Sequence, residues 1–114
     1  VADIVLTVMQ FDSSKRAVMN IKYNADLIKV CKSLKFSLAS FDRAKEPKKI
    51  RSLEGSSLEW GTAFSIRKCG FVPDIIYDKG GMQKEEMIRV IADDIESLVE
   101  KILKIHRRYL KVLT

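Results

Sequence analysis

The chain has 114 residues, a net charge of +6, 46% hydrophobic residues and 32% charged ones. That length carries one domain or a piece of one, not two independent cores, and the composition excludes a disordered or low-complexity chain. Two cysteines and one histidine exclude a disulfide framework and a zinc site of ordinary spacing, so Cys31 and Cys69 are expected to be buried free thiols of a cytoplasmic protein.

The first stretch, VADIVLTVM, does not begin with Met and reads as a helix entered partway. Its apolar run is too short to span a bilayer. It has neither the basic leader nor the small-residue cleavage site of a signal peptide. The expectation is a piece of a longer protein with no membrane contact. KRAVMNIKY (15–23) alternates, with Ala17, Met19, Ile21 and Tyr23 on one side and Arg16, Val18, Asn20 and Lys22 on the other. That period is a strand. Asn20 is a polar amide inside it and must find partners if buried, in a ligand or in a side-chain network.

Asn24 is placed to cap a helix whose apolar stripe is Leu27, Ile28, Cys31 and Leu34. KFSLASF (35–41) is a second strand, followed by a polar loop fixed by Pro47. In GSSLEWGTAF (55–64), Ser56 and Glu59 have capping-box spacing, and Trp60, Ala63 and Phe64 follow at helical spacing. Gly70 ends that helix. PDIIY (73–77) is a short buried strand, DKGGMQKEE a connection with a Gly-Gly turn signal, and MIRVIA (87–92) a strand antiparallel to the one before. The last helix repeats the capping-box spacing at Asp93 and Glu96 and carries the stripe Ile95, Leu98, Val99, Ile102, Ile105, Tyr109 and Leu110. Its final 14 residues hold five basic side chains and no acid, which complements the helix macrodipole. With no aromatic interleaving, no direct nucleic-acid contact is expected. His106 reads as solvated. The fold class is α/β, a mixed sheet covered by helices.

In open α/β sheets ligands gather at the carboxyl ends of strands. Asp42 can hold a metal or orient an amine, and Arg43 can grip phosphate with two parallel hydrogen bonds; the two can equally form a surface pair. Gly55, Ser56 and Ser57 can offer an anion the amides of a helix start, although capping alone explains Ser56. Asp78 can bind Mg²⁺, and Lys84 can act as a point charge for phosphate. No nucleophile–base pair, Walker loop or G-x-G-x-x-G is present.

Taken in order, RAVMNIKY, SFDRAKEP, GSSLEWG, PDIIYDKGG and KEEMIRV resemble the C-terminal part of the ThiN-type thiamine-phosphate synthase domain. The resemblance runs from about residue 1 to 105. It implies a three-layer α/β/α architecture with a mixed sheet, similar to the class II aldolase or AraD-like fold. Residues 1–114 would be the C-terminal portion of a single domain whose N-terminal portion is missing. That portion would hold the family's catalytic arginine and histidine, upstream of Val1. The implied reaction joins hydroxymethylpyrimidine diphosphate to hydroxyethylthiazole phosphate, with Mg²⁺ as helper, in a protein often fused to a hydroxymethylpyrimidine (phosphate) kinase. The alternative is a thiamine-phosphate-sensing domain of a regulator with the same fold.

On this chain the resemblance assigns phosphate or ligand contacts to Asn20, Arg43, Gly55, Ser56, Ser57 and Lys84, and metal or pyrimidine contacts to Asp42 and Asp78. Gln83 and Glu86 depart from the family pattern, which has Gly and Pro there. Sheet edge left uncovered by the missing portion implies an oligomer or a further segment as partner.

Overall fold

A computed structural model describes residues 2–46, 56–80 and 85–113, without the side chains of Ala44, Ser56 and Ser57. Among the described residues, four helices and four strands follow one another as α1 (Ala2–Phe11), β1 (Ala17–Lys22), α2 (Ala25–Ser33), β2 (Leu38–Ser40), α3 (Ser56–Cys69), β3 (Ile75–Asp78), β4 (Met87–Ala92) and α4 (Ile95–Leu113), with a 3-10 turn at Arg43–Lys45. The strands form one sheet in the order β1-β4-β3-β2. β4 is antiparallel to both neighbours, and β2 and β3 are parallel with α3 crossing between them. The mixed sheet and the antiparallel β3–β4 pair are as the residue pattern predicts.

Alternation along the strands supplies two apolar faces. Ala17, Ile75, Ile88, Val90 and Ala92 pack with Ile28 and Cys31 of α2 and Leu98 and Ile105 of α4. Val18, Ile76 and Ile91 point the other way, against Ile4 and Val8 of α1, Ile66 of α3, and Phe41. With both faces covered, β4 is buried from Ile88 to Ala92. A strand in that position reads as a continuous apolar run and loses the polar alternation of a half-exposed strand. The one charge in the run, Arg89, therefore has to be paired.

The helix ends follow local chemistry. Asn24 caps α2, its side chain accepting from the Asp26 N–H at 2.8 Å. Lys35 stands past the end of α2 at φ 64°, where its N–H donates to the Lys32 carbonyl. Gly70, at φ 88°, ends α3. At α4 the predicted cap is one residue off. Asp94 accepts from the Ser97 N–H at 2.8 Å, while Asp93 pairs with Lys15 across the chain at 2.6 Å. Both acids suit the cap chemically, and the distant lysine decides between them. Of the two thiols, Cys31 is buried and Cys69 only half-buried. The apolar stripe expected along α4 is split too, since Ile95, Val99 and Leu110 are exposed.

Asp74 ties the start of β3 to its surroundings. It accepts from the Ser37 N–H and hydroxyl, and from Lys101 of α4 at 2.7 Å. Burial alone would raise its pKa, but the Lys101 and Ser37 hydrogen bonds win and lower it. No helix among the described residues is long and apolar enough to cross a membrane.

Candidate functional site

Strand directions decide which residues meet. β2 and β3 are parallel, so the residues after them, Phe41 to Arg43 and Asp78 to Gly80, emerge at one end of the sheet. β4 is antiparallel to β3 and starts at that end, bringing Arg89 level with Ile76. β1 is antiparallel to β4 and finishes there, with Asn20 level with Arg89. Phe41 meets Trp60 edge-on at 6.1 Å between ring centroids, which places the start of α3 at the same end.

The centre is Asp78. Its side chain is fully buried, and its Oδ1 accepts from Arg89 Nη1 at 2.6 Å. Its Oδ2 accepts from Arg43 Nε at 2.9 Å and from the Gly80 N–H at 3.0 Å. One carboxylate thus holds two guanidinium groups on different elements. Removing one partner from a buried ion pair costs about 3–5 kcal/mol, because the remaining charge stays out of water. Burial lowers the Arg89 pKa while Asp78 opposes that shift.

Arg89 also lies over the Phe41 ring, 5.4 Å from its centroid, a cation–π arrangement. The same ring explains the glycine in the first turns of α3. A Cβ on Gly61 would overlap Phe41 Cε2, Cδ2 and Cζ, nearer than any side chain tolerates. Gly61, Phe41, Arg89, Asp78 and Arg43 form one packed series from helix to cleft. Arg89 Nε and the Asn20 Oδ1 are buried with no hydrogen-bond partner among the described residues.

Beside this series lies an open cleft of about 410 Å³, lined in part by Phe41, Asp42, Lys45, Lys68, Asp78 and Lys79. Pockets of this size hold small ligands. Three lysines on the wall favour an anionic one.

Of the residues expected from the sequence, Arg43 and Asp78 are bonded to each other and Asp42 lines the cleft. Asn20 lies at the same end of the sheet, next to Arg89 on the ladder. α3 does start at Ser56, but Gly55, Lys84 and the Ser56 and Ser57 side chains lie outside the described residues. Sequence reasoning missed Arg89, Lys45, Lys68 and Lys79. The signal for Arg89 was present, a lone charge in an otherwise apolar MIRVIA strand. The lysines carry no local signal, because each is an ordinary exposed side chain until the fold brings them together.

The described residues contain no group of three or more His, Cys, Asp and Glu side chains able to hold a metal ion. Both Asp78 oxygens face guanidinium or backbone donors. The described side chains therefore offer no all-protein Mg²⁺ cage, whereas a Mg²⁺ carried on a diphosphate would need only one or two carboxylates beside water and phosphate oxygens.

The family model described as thiamine-phosphate synthase ThiN matches residues 1–104. This chain belongs to the ThiN family. Among its relatives, the bifunctional thiamine biosynthesis protein ThiDN of Methanocaldococcus jannaschii is 46% identical over 109 residues, covering 96% of this chain and 25% of that protein. The thiamine-phosphate synthase ThiN of Methanothermobacter thermautotrophicus is 35% identical over 95 residues, covering 83% of this chain and 50% of that protein. The crystal structure of the C-terminal domain of protein MJ0236 superposes with a TM-score of 0.86 at 45% identity, over 97% of this chain and 58% of that one. That of the C-terminal domain of a phosphomethylpyrimidine kinase gives 0.86 at 33% identity, over 91% and 59%. This ThiN-family chain thus spans a quarter to a half of the curated relatives it matches, and under two thirds of the solved domains.

Proposed function

We propose that this chain is the C-terminal part of a domain that makes thiamine phosphate, and that its cleft holds the diphosphate of the pyrimidine substrate. The observation carrying this reading is a cleft walled by Lys45, Lys68 and Lys79, with Arg43, held by Asp78, next in the chain to the cleft-lining Asp42. In the reaction the thiazole nitrogen lone pair forms a C–N bond to the methylene carbon of hydroxymethylpyrimidine diphosphate. The C–O bond to diphosphate breaks, and its electron pair leaves with pyrophosphate. No proton has to move in that step. The protein's task is to neutralise the leaving group and align two rings.

Arg43 would supply two parallel donors to phosphate oxygens, and the lysines point charges. Asp78 and Arg89 would act as positioning residues that fix the Arg43 fork before ligand arrives. Gly55, Ser56, Ser57 and Lys84 remain proposed phosphate contacts, Asn20 a proposed ligand contact and Asp42 a proposed contact of the pyrimidine amine. Mg²⁺ is expected in the reaction as a partner of the diphosphate. The AraD-like arrangement is proposed for the whole family domain. The relatives' biosynthetic names favour the enzyme over the ligand-sensing regulator.

The test supplies the full-length protein with both substrates and Mg²⁺ and measures pyrophosphate release. Turnover supports the reading. Tight binding of thiamine phosphate without turnover would replace it with the regulatory one.

A further inference from the structure

The core uses only half of the apolar surface of α4. Leu98 and Ile105 are buried, and Ile102 and Tyr109 pack partly against the same cluster. Ile95, Val99, Leu103, Leu110 and Leu113 are exposed, from 42% at Leu103 to 70% at Ile95. At about 100° per residue these five fall within an arc of roughly 80°, beside the arc that faces the sheet. His106 sits in the middle of that stripe. A helix that only covers a core carries polar residues on such an arc. Here the stripe runs the whole helix, whose 19 residues extend about 28 Å at 1.5 Å per residue.

The charge pattern says what covers it. On the solvent side of the stripe the first half of α4 carries Glu96 and Glu100, and the second half Lys104, Arg107 and Lys111. A helix laid antiparallel with the same sequence puts acid against base at both ends. A parallel copy puts like against like. Flanking charges of this kind set partner and direction in paired helices.

We propose that α4 is a self-association face, and that its occupant is α4 of a second copy of this chain, antiparallel and crossing near Leu103 and His106. The apolar stripe supplies the buried seam, and the divided charges fix the direction. The site at the carboxyl ends of β2 and β3 takes no part, so self-association stands independently of the proposed reaction.

The experiment is sedimentation equilibrium of the full-length protein between about 1 and 100 μM, the range in which modest helix-mediated interfaces dissociate. The wild type is expected to form dimers, or an even-numbered assembly built from them. Leu103→Glu puts a charge in the seam and should weaken association by about 100-fold. Because that variant could misfold, four surface positions give a second readout. The double variants Glu96→Lys with Glu100→Lys, and Arg107→Glu with Lys111→Glu, each create like-charge contacts and should weaken the dimer about tenfold. All four substitutions together restore opposite charges and should restore the dimer. A monomeric wild type, an assembly unchanged by Leu103→Glu, or a fourfold variant no better than either double would overturn the proposal. A monomer in which Leu103→Glu lowers the melting temperature would show that another segment of the same polypeptide covers the stripe, and would also overturn it.

Discussion

Replacing Arg89 with methionine isolates the role of a buried charge that touches no solvent. Arg89 is 1% exposed and donates to a carboxylate whose other oxygen holds Arg43. Methionine keeps much of the aliphatic volume, so the loss is mainly electrostatic. Asp78 would keep one guanidinium and the Gly80 N–H. Breaking a buried pair from one side costs about 3–5 kcal/mol. Against a total stability of about 5–15 kcal/mol for a single domain, the melting temperature should fall by roughly 15–30 °C.

Asp78→Asn alone should be similarly damaging, since it leaves Arg89 buried with no counter-ion. The double variant removes both charges and should recover part of the loss. Urea unfolding of the four proteins measures the coupling, which the shared-carboxylate geometry puts at about 2 kcal/mol or more. Function gives a readout that stability alone would not. Arg89→Lys keeps the charge without the planar fork. At a temperature where it is folded, its KM for the diphosphate substrate should rise while kcat changes less. Additive single effects, with KM unchanged in Arg89→Lys, would refute the idea that Arg89 holds Asp78 for Arg43.

The remaining expectations are more local. Gly61→Ala drives a methyl into the Phe41 ring and should destabilise by about 1–3 kcal/mol, with Phe41→Leu recovering part of it; an Ala variant as stable as wild type in urea would rule out the packed series. Asp74 has a lowered pKa, so its contribution to stability is complete above the ordinary value of 3.8 and is lost as pH falls below it through the folded-state value. Asp74→Asn should therefore flatten the acid limb of a stability–pH curve, and an unchanged limb would contradict the Lys101 and Ser37 contacts. Burial pushes the Cys31 thiol up to about 11. A thiol reagent near pH 8 should modify Cys69 in the native protein and reach Cys31 only on unfolding, so equal native rates would place Cys31 at the surface.

What the sequence disclosed depended on whether the signal was local. The alternation of Ala17, Met19 and Ile21, the Asn24 cap, and the Gly70 stop are written within a few residues, and the structure has all three. Asp93 and Asp94 could not be separated that way, because the choice rests on Lys15, 78 residues away. In the candidate site, Arg43 and Asp78 could each be nominated by type and position after a strand. Their bond, and the third member Arg89, required the order β1-β4-β3-β2, which no local pattern encodes. The glycine at position 61 shows the same limit. Its reason is a ring 20 residues earlier that touches the helix backbone, whereas the sequence displayed only a poor helix former near a helix start.

The proposed function would place diphosphate in the cleft at the ends of β2 and β3, on an Arg43 oriented by Asp78. The decisive assay is steady-state pyrophosphate release by the full-length protein, wild type against Arg43→Ala, with both substrates varied in turn. The KM for the pyrimidine diphosphate should rise about tenfold or more, as for loss of a charge-assisted bidentate contact, with the KM for the thiazole phosphate changed less. An Arg43→Ala enzyme with an unaltered KM for the diphosphate would mean that this arginine does not hold the leaving group.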